Sequence, residues 1–197
     1  MTRQIYAAYD AAGIFVYQAY HPQIALAALR HGTFSAGFDF NRMTWIKPSF
    51  GWMLYRAGYG TKENQQTILK ITLAHPGWLT ILSQSVESVF DPQHYTDQTA
   101  WKQALANSEV RHQWDPERHP AGHKLPRRAI QVGIRGQMVR RFVEDWIIAL
   151  EDVTPLAHEI HQAVIHHQPL PPLPQERLYP VDASLQAHLS ITPAADK

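Results

Sequence analysis

Apolar and polar positions change period several times along the chain, and each change marks an element boundary. Residues 13–20, Gly13-Ile14-Phe15-Val16-Tyr17-Gln18-Ala19-Tyr20, open on a turn residue and continue with β-branched and aromatic side chains, which predicts a buried first strand. His21-Pro22 leads into the Ala/Leu-rich stretch 23–30, with Pro at the first helical position and Gly32 just past the end, so a short helix follows. Pro48 starts a second helix carrying Phe50, Trp52, Met53 and Tyr55, which stops at Gly58-Tyr59-Gly60. Residues 66–73 alternate in the manner of a half-buried strand, and a short helix is expected over 78–84.

Further on, 97–106 reads as helix, 110–114 as extended chain, and 116–126 as a polar loop rich in Pro, His and charge, a candidate lid. Residues 128–134 alternate as a strand, and Gly136 breaks it. Over 137–150 the spacing of Met138, Phe142, Trp146 and Leu150 predicts an amphipathic helix. Thr154-Pro155 opens another helix to about residue 167. Pro169-Leu170-Pro171-Pro172-Leu173-Pro174 then forces an extended, polyproline-like course, and the tail to residue 197 is expected to be draped or partly disordered. The division expected is an α+β domain over 1–168 and a Pro-rich linker and tail over 169–197. Strands and helices intersperse irregularly, which favours α+β over a doubly wound sheet.

Composition narrows the classes. A chain of 197 residues with 45% hydrophobic and 11% aromatic positions buries enough apolar surface for one core. A net charge of +1 calls for no polyanion overall, so a nucleic-acid role needs a local patch. The absence of Cys removes disulfides, thiolate nucleophiles and Cys-ligated metal. Residues 1–10 lack an apolar run, and no segment reaches the roughly 20 apolar residues of a membrane span, so a cytoplasmic protein without membrane contact is expected. His158 and His161 flank Glu159 at i and i+3, unlike the zinc-protease spacing, so a solvated helix face is expected and no metal. P-loop, Rossmann and nucleophile-elbow signatures are missing.

Three constellations carry candidate chemistry. Arg42, Lys47, Arg56 and Lys62 interleave with Trp45, Ser49, Trp52, Tyr55 and Tyr59, combining cations for phosphate with rings for base stacking. The plainer reading is a core helix whose aromatics are buried and whose cations are solvated. Lys47 lies just before the Pro-started helix, where an anion site can form. Gln113-Trp114-Asp115-Pro116-Glu117-Arg118 sets two carboxylates and a guanidinium at the mouth of the His-rich loop, either as a substrate clamp or, the favoured reading, as an Asp-Pro turn with a surface ion pair. Gln131 faces away from the apolar Ile130, Val132 and Ile134, toward a cleft or toward solvent.

Arg3-Gln4-Ile5, Val16-Tyr17-Gln18-Ala19-Tyr20, Met43-Thr44-Trp45-Ile46-Lys47-Pro48-Ser49-Phe50, Gln113-Trp114-Asp115-Pro116-Glu117-Arg118 and Ala129-Ile130-Gln131-Val132-Gly133 together resemble the domain-of-unknown-function family numbered 4291, over roughly residues 1–180. The order of strand, Ala-rich helix, aromatic helix, strand and late strand is also similar to the ADP-ribosyl transferase superfamily. That second resemblance implies two small twisted sheets flanked by helices, with NAD held as substrate in the cleft between them. It implies Tyr17 and Gln131 as catalytic, and Arg3, Gln18, Trp45, Lys47, Ser49 and Arg56 as cofactor-binding. Gln131 stands where that superfamily carries Glu, which puts transfer to a protein side chain in doubt and makes a nucleotide or nucleic acid the candidate acceptor. The alternative is a non-catalytic RNA- or nucleotide-binding module built on residues 45–59, and a third reading is partner binding through the Pro-rich segment.

Overall fold

The computed structural model describes residues 1–193. The chain opens with β1 (Thr2–Arg3), β2 (Tyr6–Ala7), β3 (Gly13–Tyr20) and α1 (Pro22–His31), followed by β4 (Thr44–Ile46), α2 (Phe50–Ala57) and β5 (Thr67–Ala74). Next come α3 (His75–Ser83), β6 (Ser85–Glu87), α4 (Gln98–Asn107) and the long hairpin of β7 (Val110–Arg118) and β8 (Lys124–Ile134). After α5 (Gly136–Arg141) and a π-helical turn (Phe142–Trp146) run β9 (Ile147–Asp152), α6 (Thr154–Ile165), β10 (Arg177–Leu178) and α7 (Ala183–His188).

These elements form two main sheets in a mixed α+β fold. The larger is ordered β1-β8-β7-β6, with β4 on the same edge of β8 as β1; the smaller is β3-β5-β9, and β10 pairs with β2. Tyr17 and Lys47 join the sheets by a two-bond bridge, Tyr17 N–H to Lys47 O at 2.7 Å and Lys47 N–H to Tyr17 O at 3.0 Å. The main core gathers the inner faces of both sheets, with Ile14, Val16 and Ile71 from one and Ile130, Val132 and Ile134 from the other. A second cluster fills the opposite face of the smaller sheet, where Tyr17, Ala19 and Ile68 meet Phe50, Leu54 and Ala57 of α2 and Ala157 and Ile160 of α6. The helix signals act as expected: Pro22 sits in the first turn of α1 with Gly32 left-handed at its end, and Ser49 caps α2 by accepting from Trp52 N–H.

Three expectations are corrected. The loop expected over 116–126 is the end of the β7–β8 hairpin. Pro116 sits in the ladder beside a register shift, where a missing N–H is tolerated, and only the tip around Gly122 turns. The helix expected over 137–150 stops at the π-helical turn. Met138, Phe142 and Trp146 are buried as the helical spacing predicts, but Ile147–Asp152 pairs with β5, so sheet pairing overrides the helical period there. The tail also packs rather than drapes. Tyr179, Leu185 and Leu189 enter the main core, Trp114 donates its indole N–H to Leu189 O at 3.1 Å, and Thr192 N–H reaches Arg3 O at 2.8 Å. Their burial stabilises the fold by roughly 1.5–3 kcal/mol per large side chain. Residues 194–197 of the expected tail lie outside the described residues.

Candidate functional site

Alternation along β7 and β8 separates two faces. Val110, His112 and Trp114 point to the core with Ile130 and Val132, while Arg111, Gln113 and Asp115 point the other way with Gln131, which is Gln113's partner across the ladder. On that second face Asp115 is buried and doubly held: Gln113 Nε2 donates to one carboxylate oxygen at 2.8 Å and Gln131 Nε2 to the other at 2.6 Å. Burial raises the Asp115 carboxyl above its ordinary value, opposed by these two amides and by Lys47 and Arg128.

Lys47 enters from the β4 edge. It follows Thr44–Ile46, whose register against β8 sets Trp45 opposite Gly133. A Cβ at Gly133 would lie 2.8 Å from the Trp45 indole, so glycine is what lets that ring lie flat on the sheet. Lys47 is 3% exposed, and its ammonium donates to Gln18 Oε1 and to Trp45 O, both at 3.1 Å. Burial pushes it down to about 7, Arg56 adds repulsion, and Asp115 opposes both. When protonated the group carries three N–H donors and finds two acceptors, so one donor is unspent. Gln131 Oε1 likewise receives no donor from the described residues, and Trp45, Gln113 and Gln131 are part-exposed, giving solvent a way in.

The fold thus brings together Gln18, Trp45, Lys47 and Gln131, with exposed Arg56 nearby on α2, around a carboxylate first read as part of a surface turn. The other expected site residues stand elsewhere. Tyr17 shares a backbone bridge with Lys47, but its ring points to the opposite face of the smaller sheet and packs 4.9 Å from Phe50. Arg3 pairs with Glu87 at 3.0 Å, beside His112 on the core face. Ser49 is spent on capping α2. Two cavities, of about 370 and 240 Å³, meet at Phe50; Tyr17 lines the larger, and Trp45, Lys47 and Gln131 line neither.

The family model described as domain of unknown function (DUF4291) matches residues 4–179. The chain belongs to the DUF4291 family. The match takes in every strand of both main sheets except β1, and it ends at Tyr179, before α7. No curated protein matches the chain. Within the DUF4291 chain the polar face has a signal that sequence reasoning passed over: carrying the extended reading of 110–114 one residue further puts Asp115 on the face of Gln113. A second buried cluster had no such signal. Ser85 Oγ lies 2.7 Å from His112 Nδ1, and His112 Nε2 lies 3.9 Å from Glu87; burial holds His112 down to about 3, and these residues line neither cavity. Among the described residues no group of three or more His, Asp or Glu is placed to hold a metal ion, and no helix is long and apolar enough to cross a membrane.

Proposed function

We propose that the polar face around Lys47, Asp115 and Gln131 binds a nucleotide, and that the chain is an ADP-ribosyl transferase-like enzyme using NAD as substrate. The observation that carries the reading is a buried carboxylate held by two amides, with a buried ammonium near enough to act on it through charge, beside a part-exposed indole. In this reading the unspent Lys47 donor and the Arg56 guanidinium take phosphate, Trp45 stacks on a base, and Gln131 Oε1 accepts from a ribose hydroxyl. Asp115 supplies the negative charge that Gln131 lacks. It is fixed by two hydrogen bonds before reaction and faces the positive charge that develops on the sugar as the bond to nicotinamide breaks. In the transfer that C1′–N bond breaks with its electron pair leaving on nicotinamide, the acceptor forms a bond to C1′, and the acceptor's proton passes to water. A nucleotide or nucleic acid is the acceptor proposed.

The test is nicotinamide release from NAD in the presence of cell extract, which supplies the acceptor. Gln131→Ala should slow release far more than it weakens NAD binding, because a contact to the sugar tightens as charge develops. Lys47→Ala should mainly raise the dissociation constant, about tenfold per 1.4 kcal/mol lost. A wild-type chain that neither binds NAD by calorimetry nor releases nicotinamide ends this reading.

One observation favours the second reading, a non-catalytic nucleic-acid binder. Arg118 lies 4.0 Å over the Tyr55 ring, which is 43% exposed and stacks on Trp52 at 5.5 Å, an open cation–aromatic platform. Salt-dependent binding of single-stranded RNA, reduced by Tyr55→Ala, with no nicotinamide release, would select it.

A further inference from the structure

The larger cavity, of about 370 Å³, lies on the other side of the smaller sheet from the polar face. The Pro-rich stretch covers it, with Pro174 and Gln175 forming one wall. The remaining walls are apolar: Phe15 and Tyr17 of β3, Phe50 at the start of α2, and Val153 and Leu156 leading into α6. That volume is within the range of small-molecule sites, roughly 300–1,000 Å³. Flat walls of this kind favour a planar ring.

Two polar features of its lining lack a protein explanation. The Tyr17 hydroxyl is wholly buried yet has no hydrogen-bond partner among the described residues, a costly arrangement for a group that ordinarily finds one when enclosed. Burial also keeps it protonated and therefore a donor. At the rim the charges do not cancel: Lys70 pairs with Glu151 at 2.7 Å, while Arg177, held 3.9 Å over Tyr9 and donating to Tyr9 O at 3.0 Å, has no carboxylate of the described residues within ion-pair distance. The lining therefore carries one uncompensated positive charge at its mouth and one unmet donor within its walls.

We propose that this cavity is a second ligand site, for a planar aromatic monoanion whose acid group meets Arg177 at the rim and whose opposite end offers an acceptor to the Tyr17 hydroxyl. The assignment is independent of the transferase reading, since it uses neither Lys47 nor Gln131. Three probes on the full chain separate its parts: 6-hydroxy-2-naphthoate, which carries both groups; 2-naphthoate, which lacks the hydroxyl; and 6-hydroxymethyl-2-naphthol, which lacks the charge.

By calorimetry the first should bind saturably with a Kd below about 1 mM and exceed each of the others by about tenfold. Tyr17→Phe should erase its advantage over 2-naphthoate, and Arg177→Gln its advantage over the uncharged probe. Leu156→Trp, which fills the cavity, should abolish binding of all three. No saturable binding, equal affinity for charged and uncharged probes, or unchanged affinity in Leu156→Trp overturns the proposal. Should Leu156→Trp not fold, Tyr17→Phe decides alone, because it removes one oxygen and leaves the packing; an undiminished preference for the hydroxylated acid in that variant places the ligand elsewhere.

Discussion

Lys47→Met removes a charge that the fold keeps at a cost. The folded ammonium titrates at about 7, against 10.5 for an unhindered lysine. A group depressed in this way contributes its full stability above pH 10.5, where both folded and unfolded chains hold it neutral. As pH falls from 10.5 toward 7 the unfolded chain takes up a proton that the folded chain refuses, and stability drops. Below pH 7 both are protonated and the penalty is constant. At 1.36 kcal/mol per pH unit, the interval from about 7 to 10.5 amounts to about 5 kcal/mol, of which about 3 kcal/mol falls between pH 7 and 9.5. Urea unfolding of wild type and Lys47→Met from pH 6 to 9.5 isolates this quantity, because every other titrating group is shared and cancels in the difference. Wild type should gain on the variant by about 3 kcal/mol across that range. The absolute difference at pH 6 is a poorer guide, since methionine leaves Gln18 Oε1 and Trp45 O without their donor, at about 1–3 kcal/mol each. A difference that stays flat across the range refutes the buried, proton-excluding Lys47.

Three further outcomes follow from the packing. Leu189→Ala, in the tail segment and fully buried, should cost about 2–5 kcal/mol in denaturant unfolding; a change under about 0.5 kcal/mol shows that the tail does not close the core. Asp115→Asn keeps the shape but offers an NH2 to one of two amides that already donate, so it should destabilise the chain and also lower the Lys47 titration further, read by lysine-selective NMR; an unmoved Lys47 breaks the link between the two groups. Glu176, whose carboxyl accepts from Phe50 N–H at 2.6 Å, is raised by burial to about 8, so its stabilising effect is complete below about 4.5 and lost as pH rises through 8. Wild type should therefore lose ground to Glu176→Gln over that interval, and a parallel pH course for the two speaks against an enclosed carboxyl.

Local chemistry carried much of the fold into the sequence. β3, α1, α2, β5, α3, α4 and α6 were legible within a few residues because strand alternation, Pro at the helix start and Gly at the helix end act over one or two turns. What was hidden depends on partners far along the chain. The two-residue strands β1, β2 and β10 are too short for any period to register; they exist because Arg3, Tyr6 and Ala7 find backbone partners at Arg128, Leu178 and Arg177. The tail misled because Pro169 to Pro174 does lack ladder bonds, while the anchoring side chains, Tyr179, Leu185 and Leu189, are spaced too sparsely after it to show a buried face.

The candidate site shows the same division. Lys47 and Gln131 stood out as polar residues inside apolar strings, and their proximity followed once β4 paired with the far end of β8. Asp115 was undervalued because Asp-Pro is most often a turn, whereas here the strand runs on through Pro116 and plain alternation puts the carboxylate on the face of Gln113 and Gln131. Tyr17 failed for the complementary reason. Although Tyr17 is Lys47's bridge partner, its ring packs on Phe50 while the Lys47 ammonium turns to Gln18 Oε1 and Trp45 O, and Tyr17 and Gln18, one residue apart on the strand, point to opposite faces. The Tyr17 hydroxyl is left instead buried without a partner in a residue that lines the larger cavity, the feature on which the proposed second ligand site rests.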